Sequence, residues 1–211
     1  MGSLVLPALG IVAWIAVLAV FGWLLLSVSS IGFFSVADSR MAPTLLGGDR
    51  VVVWRGYYRD HLPERGDLAV VITPGSDRPR IMRILGLPGD SLISVLGTLT
   101  INGEAIERTR VGDFGWRDAA GLHRTAPRYE ESLPGGATYS IVQSAEGMFR
   151  GTLLGASLKI PAGDYFVIGD NRDETESSWD FGFLPGLVLS DRPTVVIASD
   201  DRRRIGRSVQ P

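Results

Sequence analysis

The strongest constraint on this chain is the absence of charge at its start. No Asp, Glu, Lys, Arg or His precedes Asp38, and from Leu4 to Val28 only Pro7 and Ser27 stand out against an apolar background. A helix rising about 1.5 Å per residue crosses a bilayer core in about 20 residues, so the run predicts one transmembrane anchor within residues 1–30. A cleaved signal peptide fits less well, because its apolar region is shorter and follows basic residues. A buried core helix is rarely this long. Trp14 and Trp23 suit bilayer or interfacial placement without marking the ends. The flank after the run mixes Asp38, Arg40, Asp49 and Arg50, so charge leaves the orientation open.

All 21 Lys and Arg and all 23 Asp and Glu therefore lie in one stretch, residues 31–211, long enough for one compact domain. The formal charge of −2 gives no basic footprint for nucleic acid, and none is expected as a partner. With no cysteine there is neither a disulfide framework nor thiol chemistry. No spacing of His or carboxylates suggests a metal, and no organic cofactor is implied.

Short Val- and Ile-rich runs separated by Gly, Pro and Asp predict a mainly β fold: 49–54, 67–73, 80–87, 91–96, 98–101, 137–144, 164–170 and 193–199. Asn102-Gly103 reads as a two-residue hairpin turn, since both tolerate positive φ. No window after the first run sustains helical periodicity. Residues 106–163 are poor in apolar runs and read as a smaller inserted β subdomain beside the main sheet. The closing "DRRRIGR" reads as a solvated tail or, more specifically, as a contact for anionic lipid headgroups.

Four ordered segments carry more than fold: "RMAPTLLGGDRVVV" (40–53), "ERGDLAVV" (64–71), "IMRILGLPGD" (81–90) and "GDYFVIGDNRDETESS" (163–178). Behind an apolar anchor they resemble the bacterial type I signal peptidases, membrane-bound serine endopeptidases that remove signal peptides from exported proteins. "INGEAI", "YEESLPGGATY" and "RRRIGR" also look like family elements. The resemblance implies a signal-peptidase-like β-rich core with a smaller inserted β subdomain, on the extracytoplasmic side of the cytoplasmic membrane. It also implies that "IGFFSV" (31–36) holds the site near lipid, and that an extended peptide adds to exposed strand edges.

The same resemblance implies a serine nucleophile, a neutral lysine base and hydroxyl and backbone donors to the oxyanion. Residue by residue, the motif residues Met41, Pro43, Thr44, Arg83, Gly89, Asp90, Gly169, Asp170, Asn171 and Arg172 are retained. The chemical positions differ. Arg40 stands at the nucleophile position, Asp38 at the oxyanion hydroxyl position and Met82 at the base position. Arginine stays protonated, an ionised aspartate repels an oxyanion, and a thioether takes up no proton. Thr175 still offers a hydroxyl in the last box, whereas Ser177 and Trp179 replace charged residues. Lys159 is the only lysine, and His61 and His123 fall outside the matched segments.

The leading expectation is thus a catalytically silent, signal-peptidase-like protein that works by binding. Its partners would be extended segments of exported proteins, an active signal peptidase, or a surface or pilus assembly component, together with membrane lipid. The alternative is an active endopeptidase using Ser39, one residue from the expected place. In an extended segment that shift turns the side chain to the other face. Asp38 and Arg40, two apart, would then share a face and pair across the site.

Overall fold

β-Branched residues crowd a helix and suit a pleated sheet, and the Val- and Ile-rich runs become strands in the computed structural model. The structure describes residues 14–20, 30–95, 98–118, 120–144, 157–174 and 176–211. In chain order the strands are β1 (Ile31–Ser35), β2 (Arg50–Trp54), β3 (Leu68–Val71), β4 (Arg80–Gly86), β5 (Ser91–Val95), β6 (Thr98–Ile101) and β7 (Glu104–Ala105). They continue as β8 (Glu107–Arg117), β9 (His123–Ser132), β10 (Thr138–Val142), β11 (Ser157–Lys159), β12 (Asp164–Ile168), β13 (Leu184–Pro185) and β14 (Arg192–Ala198). Beyond residue 30, the α-helices Tyr57–Asp60 and Ser178–Phe181 are single turns.

These strands form sheets of order β1-β2-β14, β10-β9-β8, β11-β5-β6-β7 and β13-β12-β4-β3, and the pairings are antiparallel. β4 is an interior strand of its sheet, buried from Ile81 to Gly86, and its apolar run is broken only by the buried Arg83. Leu68 pairs with Arg83 on one side and Ile168 with Arg83 on the other. Alternation sends Met82 and Ile84 into a cluster with Ala69, Tyr165 and Val167. Ile81 packs with Met41, Leu45 and Leu68, and Leu85 with Leu92, Ile141 and Phe166. Arg83 lies between these last two clusters, on the same face of β4.

The predicted strand runs all appear, and Asn102 (φ 53) and Gly103 (φ 88) make the hairpin turn between β6 and β7. Two features differ from the reading of the sequence. "IGFFS" is an edge strand, paired only with β2, with Phe33 70% exposed on its outer face. Residues 107–132 form a long antiparallel ribbon whose strands show little inside–outside alternation, because most of their side chains are exposed. Within 106–163, β8 to β10 form their own sheet while β11 pairs with β5. Leu133, Tyr139 and Ile141 share a core with Leu85 and Phe166.

Residues 14–20 are helical and exposed; the rest of the predicted 1–30 anchor, apart from Ser30, lies outside the described residues. Among the described residues, no helix is long and apolar enough to cross a membrane.

Candidate functional site

Asp38 begins a series of bends and turns that runs to Leu45, so the segment is not extended as the sequence suggested. The aspartate itself helps to turn it. The Arg40 backbone N–H donates to Asp38 Oδ1 at 3.1 Å, the short-range bond that makes Asp a turn former. Arg40 Nε lies 3.4 Å from Asp38 Oδ2, so the two residues do pair, through a turn and not across a strand face. Ser39 points elsewhere. It is buried, and its hydroxyl donates to the Arg117 carbonyl at 2.6 Å, tying the turn to the β8–β9 ribbon. Ala42 packs beneath the same ribbon with Trp116, Ala126 and Val142.

Asp38, Arg40 and Met82 meet around a recess of 60 Å³, bordered by residues 34–38 and 79–82 and by Glu176. Ser39 is not part of its lining. β1 is a sheet edge, and residues 80–82 of β4 pair with β3 alone, so both borders have an unpaired strand edge. Met82 is buried in an apolar cluster. Among the described residues no lysine or histidine lines the recess. Lys159 sits on β11 and lines a separate depression with Pro88 and Gly89. His61 stacks on Tyr57 with ring centroids 4.1 Å apart, and His123 pairs with Arg117 in the ribbon.

The retained motif residues converge next to this turn. Asp170 is fully buried and accepts from Arg83 Nε at 2.7 Å and Nη2 at 2.6 Å, a two-pronged bond that suits the guanidinium fork. The Thr44 hydroxyl also donates to Asp170. Asn171 donates from its backbone to Arg40 O at 2.9 Å and from Nδ2 to Ser39 O at 3.1 Å, fixing the turn. Arg172 pairs with buried Glu131 at 2.6 Å. The Tyr139 ring lies 4.1 Å below the Arg83 guanidinium, and its hydroxyl donates to Glu131 at 2.8 Å. Burial and then the Glu131 charge push the Tyr139 phenol well above its ordinary pKa, so it stays a donor. Gly169 is buried beside Asp170, and Met41 packs with Leu45 and Val51.

Gly89, at φ 88, turns the chain into Asp90, which accepts from Leu87 N–H at 2.6 Å, Arg65 at 2.8 Å and Asn102 at 2.7 Å. Burial alone would raise Asp90, but the bonds from Arg65, Leu87 and Asn102 outweigh it and hold the carboxyl below the usual carboxylate range. In the last box, Ser177 caps the helix Ser178–Phe181 in a reciprocal bond pair with Asp180, and Trp179 packs edge-on against Phe166. Thr175 lies outside the described residues.

Sequence reasoning missed three of these side chains. Glu131 and Tyr139 sit inside the quoted "YEESLPGGATY", but nothing local shows that each meets an arginine far along the chain. Arg204 is a correction: "RRRIGR" is not simply a solvated tail. Arg204 is buried, pairs with Asp49 at 2.7 Å and donates to the Pro43 and Thr44 carbonyls at 3.2 and 2.8 Å. Its neighbours Arg202 and Arg203 are exposed.

With this geometry in hand, a family model described as "Signal peptidase, peptidase S26" matches residues 8–192. "Signal peptidase I" of Rickettsia bellii (strain OSU 85-389) is 33% identical over 143 residues, covering 65% of this chain and 48% of the relative. "Signal peptidase I" of Rickettsia canadensis (strain McKiel) is 36% identical over 129 residues, covering 58% and 47%. The chain spans about half the length of the curated relatives it matches. A crystal structure of a signal peptidase I from Enterococcus faecalis V583 is similar at 24% identity with a TM-score of 0.37, covering 61% of this chain and 94% of that one.

Proposed function

The chain belongs to the signal peptidase, peptidase S26, family, and from that premise we propose that it is a catalytically silent member that binds extended segments of exported proteins without cutting them. The observation that carries this reading is the side-chain content of the recess. Acyl transfer needs a nucleophile, a base to take its proton and donors facing the developing oxyanion. The recess presents Arg40, Met82 and Asp38 instead. The guanidinium stays charged, the thioether accepts no proton, and the carboxylate repels negative charge. The buried Ser39 hydroxyl is already committed to the Arg117 carbonyl, which argues against the shifted-nucleophile alternative.

Binding has better support than cutting. The two unpaired strand edges offer backbone N–H and C=O groups of the kind to which an extended peptide adds as a further strand. In this reading the apolar run within residues 1–30 anchors the chain in the cytoplasmic membrane, with the folded domain on the extracytoplasmic side. The bound segment comes from an exported protein, an active signal peptidase or a surface or pilus assembly component.

Full-length protein in detergent is expected to leave a signal-peptide substrate intact. Cleavage that disappears in Ser39→Ala would overturn the silent reading. The triple variant Asp38→Ser, Arg40→Ser, Met82→Lys is expected to gain cleavage, whereas Arg40→Ser alone is not. A signal peptide carrying a photoreactive group is expected to crosslink within 34–38 or 79–82, and the absence of any adduct counts against binding.

A further inference from the structure

Another cavity, of 230 Å³, opens between the turn at Pro43 and Thr44, the β9–β10 hairpin and the C-terminal segment. Four arginines line it, Arg83, Arg128, Arg204 and Arg207, and no Asp or Glu side chain does. Two of the four are already answered, Arg83 by Asp170 at 2.6 Å and Arg204 by Asp49 at 2.7 Å. Arg128, half-buried, and Arg207, exposed, have no carboxylate partner among the described residues. Among the described residues, no ion pair or side-chain hydrogen bond joins either one to the protein. Arg128 Nε is shielded from solvent with no acceptor in reach. Glu130, next on the same face of β9, is exposed and outside the lining, and Pro211, which borders the cavity, pairs with neither arginine.

A buried guanidinium N–H without an acceptor is unfavourable, and such groups are uncommon in folded proteins. Its natural complement is an oxyanion, because the arginine fork matches two oxygens of a phosphate or carboxylate. Two guanidinium charges without a carboxylate partner, one half-buried and one exposed, favour a doubly charged anion. The Ser140 and Ser208 hydroxyls, which have no partner among the described residues, add neutral donors to the lining. Drug-sized ligands occupy about 300 to 1,000 Å³, so this smaller space suits a compact group. We propose that this cavity binds a phosphate group, either free in solution or carried on the headgroup of an anionic lipid.

The test uses the full chain in detergent, melted in sodium phosphate against sodium chloride at matched ionic strength. Phosphate is expected to raise the melting temperature in a concentration-dependent way, as a ligand of the folded state must. Arg128→Gln and Arg207→Gln are each expected to weaken phosphate binding, read by calorimetry, about tenfold through loss of a charge-assisted bond. Without phosphate, Arg128→Gln is expected to melt at the parent temperature or above it, since it removes an orphaned cation. A marked fall there would assign Arg128 a structural role and overturn the proposal. A short-chain phosphatidic acid distinguishes the sources: tighter binding than inorganic phosphate, lost in both variants, identifies a lipid headgroup, whereas binding of inorganic phosphate alone identifies a free anion. The proposal fails if neither ligand raises the melting temperature beyond the chloride control, or if both variants bind as tightly as the parent.

Discussion

At the residue scale, the buried charges do most to hold the candidate site in shape. Arg83 and Asp170 are each almost wholly removed from water, and each is satisfied by the other and by neutral partners: Gly66 O and the Tyr139 ring for Arg83, Thr44 for Asp170. Removing one member leaves its partner charged and buried. Arg83→Met is therefore expected to cost about 3 to 5 kcal/mol in urea unfolding. The double variant Arg83→Met, Asp170→Leu is expected to cost less, because it strands no charge. A smaller effect tests the last box: Ser177→Ala removes the cap of the helix Ser178–Phe181 and should cost about 1 kcal/mol. An unchanged midpoint there would show that Asp180 caps the turn unaided.

At the scale of elements, β4 connects the recess to the core. Its first residues border the recess, Arg83 ties it to Asp170, and Gly86 ends it against Phe166. A Cβ on Gly86 would stand 2.3 Å from Ile160 Cδ1 and 3.0 Å from Phe166 Cβ. Gly86→Ala is expected to destabilise by about 1 to 3 kcal/mol through overpacking. Adding Ile160→Val should recover part of that loss in thermal melts; no recovery would place the strain at the Phe166 side. The β6–β7 hairpin was legible because Asn-Gly encodes its own backbone. The β8–β9 ribbon was not, because strands exposed on both faces lack the period-two pattern that marks a half-buried strand.

At the scale of the whole molecule, distant segments are joined through carboxylates, and Asp90 is one whose protonation would release them. Asp90 links Arg65, Leu87 and Asn102, and its folded pKa lies below the unfolded value of about 3.9. A depressed carboxylate contributes stability above the unfolded pKa and loses it as pH falls through the folded one. Stability is therefore expected to drop below about pH 4. Arg65→Met should make that acid limb shallower while lowering stability at neutral pH. An acid limb as steep as the parent's would remove Asp90 from the account.

What the sequence determined by itself was local or ordered along the chain: the mainly β character, the strand runs, the Asn102-Gly103 turn and the set of motifs that led to the signal peptidase family. These are legible because backbone propensity and motif order are properties of neighbouring residues. Only the tertiary structure gave the Asp38–Arg40 pair its turn geometry, turned Ser39 towards Arg117, paired Arg172 with Glu131, and buried Arg204 against Asp49. The physical reason is that a charge is driven inside only where a partner distant in sequence can replace water, and no local pattern names that partner.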